Sequence, residues 1–215
     1  MYGELAAWGR VVLSAFAPRR CAGCGIAGEW VICPACAAEL DRLEQPAARL
    51  DRHGGVTAAY TFDDPVRHIV HRAKYGGERP AVETLARLAT PRLRAGVLID
   101  PDIVVPVPLG RRRRRQRGFN QAAVMAVVLA EAASLPLSTQ LVRTRDTAPQ
   151  VGHDEQQRWR NVEGCFAWQG PSLAGATVWL MDDVLTTGAT AQAAADALHL
   201  GGAARVETAV LAAVP

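Results

Sequence analysis

Three groups of residues in this sequence have types and spacings suited to chemistry. The first is Asp182 and Asp183, followed by Thr186, Thr187, Gly188, Ala189 and Thr190. Adjacent carboxylates suit vicinal hydroxyls, or a magnesium ion bridging hydroxyls and a phosphate group. The Thr/Gly run behind them has the opposite preference. Its hydroxyls, its backbone N–H groups and the helix start that follows all favour an anion. Gly188 lets the backbone come close to a phosphate. The acids would repel that phosphate, so the two halves divide one ligand between them, and ribose 5-phosphate carries both features. The plain alternative is a capped strand-to-helix turn with two solvated acids. No GxxxxGK[ST] occurs in the chain, which excludes a phosphate-loop nucleotidase using these acids in its second motif.

The second group is Cys21, Cys24, Cys33 and Cys36, a CxxC pair repeated across a short gap. Each pair on a tight turn offers two sulfurs to one ion, which is what tetrahedral zinc needs. Gly23, Gly25 and Pro34 suit such turns. Disulfides belong to oxidising compartments, and a thioredoxin-type site would use a single CxxC. Four Cys ligands leave no open position, so this zinc is expected to be structural. Cys165 has no fellow nearby and reads as a buried, inert thiol.

The third group is basic. Of 24 Lys and Arg residues the only Lys is Lys74, and the net charge of +3 is unevenly spread. The first 55 residues balance, while residues 111–115 are all Arg and Arg117 follows. A loop with Arg117, Gly118, Asn120 and Gln121 suits a pyrophosphate. Six Arg exceed what one pyrophosphate can use, so some must face solvent, a partner or nucleic acid. Lys74 stands beside Gly76 and Gly77 and could reach a phosphate, although a C-capping glycine explains Gly76 equally well. Residues 144–164 are polar with no apolar period, and a loop that long is usually functional, often as a lid. Arg143, Arg145, Gln150, Arg158 and Asn161 could close over a polyanion there, a solvated loop being the alternative for each.

These groups need elements to position them. Val178, Trp179, Leu180 and Met181 form a short buried strand of a parallel sheet. The acids stand where it should end, and an Ala-rich helix covers 192–200. Further strands are expected at 56–62, 102–108, 138–143 and 205–214. Helices are expected from Pro65, over 80–93 and over 122–133, with His68 and His71 facing solvent. Alternating strands and helices predict an α/β, doubly wound, mainly parallel sheet, whose ligands sit at the carboxyl ends of its strands. That places the 109–121 loop beside Asp182. Leu5, Trp8, Val12 and Phe16 recur at helical spacing and predict a helix docked on the body. The first residues lack a basic start and are broken by Glu4 and Arg10, so they do not read as a signal peptide. No apolar run approaches a membrane span, and the default location is cytoplasmic.

The 178–190 stretch resembles the signature of type I phosphoribosyltransferases: four apolar residues, two acids and a Thr/Gly phosphate loop. The chain as a whole resembles the ComF (competence protein F) family. The resemblance rests on the four cysteines, Lys74-Tyr75-Gly76, the PVPL segment that includes Pro108, Arg117 to Gln121, and the 182–190 loop. In the polar segment it extends to Arg143, Arg145, Thr147, Gln150, Arg158, Asn161 and Val162. It implies a type I phosphoribosyltransferase fold over 51–215, with the N-terminal helix and zinc module over 1–50. It also implies that the acids hold the ribose hydroxyls of phosphoribosyl pyrophosphate, with Mg2+, and that the loop holds its 5-phosphate. The role implied is DNA uptake in natural transformation, alongside a helicase-like partner and recombination factors.

Two functions follow as expectations. One is a phosphoribosyltransferase displacing pyrophosphate at the anomeric carbon. Such enzymes need a hood for the acceptor base, and none is expected here: the residues end with the last strand, and the N-terminal region is taken up by cysteines. The other is a non-catalytic protein that uses the arginine run to bind single-stranded DNA and the zinc module to dock a partner.

Overall fold

β-favouring runs separated by helical segments must pair in parallel, because their long crossovers carry each strand back to the same end of the sheet. A computed structural model of the chain describes residues 19–47, 49–50, 55–145, 162 and 164–214. The strands are β1 (Arg49–Leu50), β2 (Gly55–Thr61), β3 (Ile103–Pro106), β4 (Leu141–Arg143), β5 (Phe166–Trp168), β6 (Thr177–Leu185) and β7 (Arg205–Ala213). The helices are α1 (Pro34–Arg42), α2 (Val66–Tyr75), α3 (Arg79–Ala95), α4 (Arg111–Arg117), α5 (Gln121–Ala133) and α6 (Ala189–Leu200). One sheet has the order β1-β2-β7-β6-β3, parallel throughout except for β1 at its edge. A separate antiparallel pair, β4 and β5, lies outside it. The helix expected around Leu5, Trp8, Val12 and Phe16 falls outside the described residues.

Both faces of the sheet are covered, and β6 shows how. Its side chains alternate with period two. Trp179 and Met181 pack with Ile69 of α2, Leu85 of α3 and Met125 of α5. Val178 and Leu180 pack with Ala194 and Leu198 of α6, and with Leu141 and Phe166 of the β4–β5 pair. Burying each large side chain of this kind is worth about 1.5–3 kcal/mol. This two-sided burial is the doubly wound fold that the alternating pattern predicts.

The structure corrects four expectations. The acids do not end their strand: β6 runs through Asp182 and Asp183 to Leu185, because β7 stays paired alongside it as far as Ala213. Ala189 and Thr190 are not loop residues but the first turn of α6. The arginine run is a helix, α4, closed by Gly110 at one end and by Gly118 in the left-handed region at the other (φ 78°). The strand expected at 138–143 shrinks to Leu141–Arg143 and pairs with β5 instead of the main sheet.

The cysteine module packs on the same core. Cys21, Cys33, Cys36 and Leu40 share a buried cluster with Tyr60, Val66 and Ile69. Arg92 of α3 fixes the chain that leaves α1. Its guanidinium donates to the carbonyls of Asp41 (2.8 Å), Leu43 (2.8 Å) and Ala59 (3.2 Å), and it lies 4.8 Å from the Tyr60 ring centre. Among the described residues, no helix is long and apolar enough to cross a membrane.

Candidate functional site

The candidate site lies at the carboxyl ends of β3 and β6. Period-two alternation continues into the acids, so Asp183 follows Trp179 and Met181 toward the α2 and α5 side. There its Oδ2 meets Lys74 Nζ at 2.9 Å and Arg117 Nη1 at 3.9 Å, all three side chains being largely buried. Lys74 comes from the end of α2 and Arg117 from the end of α4. Gln121, the first residue of α5 and itself buried, joins these elements. Its Oε1 accepts from Arg117 at 3.1 Å, and its Nε2 donates to the Ala73 carbonyl at 3.4 Å.

Asp182 has a different environment. Its Oδ1 accepts the Asp183 backbone N–H at 2.8 Å. Burial pushes its carboxyl up to about 7, and the Asp183 charge adds to that. The Asp183 N–H, Lys74 and Arg143 pull the other way without cancelling it. This acid therefore keeps its proton to higher pH than a free aspartate does.

Beyond the acids the backbone turns into α6 at Gly188. Its φ of 79° is the left-handed conformation in which a side chain is strained. No side chain caps this helix, and the first intrahelical bond runs from the Gln192 N–H to the Gly188 carbonyl at 2.9 Å. The N–H groups of Ala189, Thr190 and Ala191 therefore have no acceptor among the described residues. The hydroxyls of Thr186, Thr187 and Thr190 likewise have no partner among them. Donors and the positive end of a helix converge on one spot, which suits an anion.

The opposite wall is the turn from β3 to α5. Val107 joins Met181 of β6 through a 2.8 Å backbone bond. Asn120 Nδ2 donates to the Val107 carbonyl at 2.9 Å, and its Oδ1 caps α5 by accepting from Ala122 N at 3.2 Å. Pro108 and Gly118 lie in the same stretch, on either side of α4. At the third side, Arg143 stacks over Phe166, 5.2 Å from the ring centre, and Arg145 Nε lies 3.0 Å from Cys165 Sγ. Gln150, Arg158 and Asn161 lie outside the described residues.

Lys74, Arg117 and Asp183 thus converge as one ionic cluster. Sequence reasoning paired Lys74 with a phosphate and missed its contact with the acid. It also missed Gln121 as a structural link, although a polar residue directly before the apolar run Ala122–Ala133 was a usable signal.

The cysteines form a second centre. Their four Sγ atoms lie within 4.8 Å of one another, three of the residues being buried. Cys24 and Cys33 sulfurs are 3.7 Å apart, close to the ~3.8 Å edge of a tetrahedron with Zn–S bonds of ~2.3 Å. Cys33 caps α1 and Cys36 sits in its first turn, while Gly25 (φ 78°) closes the first knuckle with a bond to the Cys21 carbonyl. Burial raises the Cys21 thiol, but N–H donors from Cys33, Cys24 and Gly23 outweigh it and hold it down at about 6. Cys36 is pushed far up by burial and its thiol neighbours. Four soft donors in this arrangement fit a zinc ion and could hold one.

A family model described as the phosphoribosyl transferase domain matches residues 74–215. The chain is 31% identical over 185 residues to the DNA utilization protein YhgH of Salmonella typhi, covering 82% of this chain and 81% of that protein. It is 30% identical over 136 residues to competence protein F of Haemophilus influenzae, 60% of this chain and 59% of that one. It is 29% identical over 160 residues to competence protein ComFC of Bacillus subtilis, 70% of this chain and 61% of that one.

Proposed function

The chain belongs to the phosphoribosyl transferase domain family, in its competence protein F group, and from that premise we propose that it binds phosphoribosyl pyrophosphate, or a related ribose phosphate, together with Mg2+. One observation carries the reading. Asp182 and Asp183 stand only a few residues ahead of the uncapped first turn of α6, so acceptors for hydroxyls and donors for a phosphate share one strand end. In this reading the acids take the ribose hydroxyls, while Thr186, Thr187, Gly188, Ala189 and Thr190 take the 5-phosphate. Arg117, Gly118, Asn120, Pro108 and Lys74 form the pyrophosphate wall. Arg143 and Arg145, with Gln150, Arg158 and Asn161, are assigned to the lid. Cations facing a departing pyrophosphate would stabilise it electrostatically. A zinc ion on Cys21, Cys24, Cys33 and Cys36 would be structural. Calorimetry of the intact protein with phosphoribosyl pyrophosphate and magnesium tests the reading. Heat that saturates is expected, and none at millimolar ligand would sink it.

The relatives' names, DNA utilization and competence, support a role in DNA uptake; in this reading the protein acts in the cytoplasm with a helicase or recombination factor as its partner. A specific observation extends this to single-stranded DNA. Arg111 to Arg115 form no ion pair among the described residues, so five guanidinium groups stand ready for phosphates. DNA binding should then fall steeply with salt, and less steeply once these residues are Ser. A salt slope that the Ser variant leaves unchanged would reject this role for α4.

A further inference from the structure

Two features are not used by the ribose phosphate site. The first is the run Arg111 to Arg115 of α4. The seven residues of this helix span about 10 Å, and Arg111–Arg115 and Arg113–Arg117 are like-charge pairs one turn apart, each costing the helix a few tenths of a kcal/mol. A polyanion laid along α4 would relieve that repulsion. The second is Tyr75, which is 73% exposed although it ends a helix whose other face is buried. Its ring stacks on His71, one turn earlier, with centroids 4.4 Å apart and the planes tilted by 44°.

The fold brings these two features together. α2 packs against α4. Lys74, the neighbour of Tyr75, and Arg117, the last residue of α4, reach the same Asp183 oxygen. The remaining charges of α2 are balanced or positive: Arg67 and His68 pair with Asp64, and Arg72 lies 3.7 Å from Glu78. An exposed aromatic pair on a helix that packs against a basic one has the layout of a single-strand site: a stacking platform beside a phosphate track.

We propose that the Tyr75–His71 ring pair stacks a base of single-stranded DNA whose phosphates run along α4. This rests on the reading of α4 as a DNA contact and adds to it where a base goes. Stacking is tolerant of sequence, so the site takes any single strand with exposed bases. Folded duplex buries the base faces and would engage only the arginines.

The experiment is fluorescence anisotropy with two probes, an oligodeoxythymidine and an abasic oligomer of equal length, each titrated with salt. Tyr75→Ala should weaken thymidine binding about tenfold, leave the abasic oligomer unaffected and keep the salt slope. Tyr75→Phe should restore binding, since the ring face and not the hydroxyl does the stacking. Ser at Arg111, Arg114 and Arg115 should weaken both probes and flatten the log–log salt slope by about 2. If Tyr75→Ala binds thymidine like the parent while the Ser variant loses it, α4 contacts DNA and the platform is wrong. If the parent protein binds neither probe, the DNA reading falls and takes this one with it. An unchanged thermal melt for Tyr75→Ala is expected, because its ring lies on the surface.

Discussion

Lys74 Nζ lies 2.9 Å from Asp183 Oδ2, so one of the two carboxylates proposed to hold the ribose is already engaged by the only lysine in the chain. Arg117 approaches the same oxygen at 3.9 Å. The Asp183 charge is thus offset from within the protein. A ligand that brings hydroxyls and a divalent cation must displace the ammonium, and its phosphates offer that ammonium a new partner.

Lys74→Met should therefore act in opposite directions on two ligands. Manganese alone, used as a magnesium probe, should bind several-fold more tightly, because its competitor for Asp183 is gone. Phosphoribosyl pyrophosphate with magnesium should bind about tenfold more weakly, the loss expected for one charge-assisted hydrogen bond. Calorimetry with each ligand in turn measures both effects. Equal weakening of the two would mean that Lys74 never competes for the acid.

Asp182 gives the protein a pH dependence. Its carboxyl titrates at about 7 in the folded chain against 3.8 in the free side chain. The folded state thus holds this proton more tightly than the unfolded one. Its contribution to stability is present in full below the unfolded value and is lost as pH rises through 7. Ribose hydroxyls need the carboxylate, so ligand affinity should climb over the range where stability falls. Thermal melts from about pH 5 to about pH 8 should show a downward trend that Asp182→Asn flattens. Parallel trends in the two proteins would remove Asp182 as the cause.

Gly23 tests the cysteine centre by size alone. A Cβ added there would meet Cys36 Sγ at 2.8 Å and Pro65 Cβ at 3.1 Å. Gly23→Ala should displace Cys36 from the other three sulfurs and weaken zinc at least tenfold, as loss of ligand geometry does. A chelator competition followed with a colorimetric zinc reporter reads this directly. Retention of zinc with parental affinity would show that the knuckle can shift without cost.

The parts of this molecule that were legible in its sequence are those set by neighbours along the chain. The β6 run, the glycine before α6 and the cysteine spacing are local patterns, and each names its own environment. α4 was not legible as a helix. A run of arginines has no apolar face to give it a period, and its ends are set by the turn glycines Gly110 and Gly118. The extension of β6 past the acids depends on β7, whose pairing no local window contains. The same holds for Lys74 and Asp183, which lie on different elements and meet only in the folded chain. Local chemistry was visible, but which cation faces which acid was decided by tertiary structure.

The position of α2 has one more consequence. Pro65 caps its start beside the Gly23 knuckle, Val66, Ile69, Val70 and Ala73 bury its inner face, and Lys74 stands near its end. A helix of this length is about 15 Å long and too stiff to absorb a shift at one end. Under the proposed function it would link two equilibria, metal occupancy at the knuckle and ligand occupancy at Asp183. Such linkage is reciprocal: whatever factor zinc lends to ribose phosphate affinity, ribose phosphate must return to zinc. Chelator-driven zinc loss should accordingly slow when phosphoribosyl pyrophosphate is bound. Identical loss with and without that ligand would mean the two ends of α2 are independent.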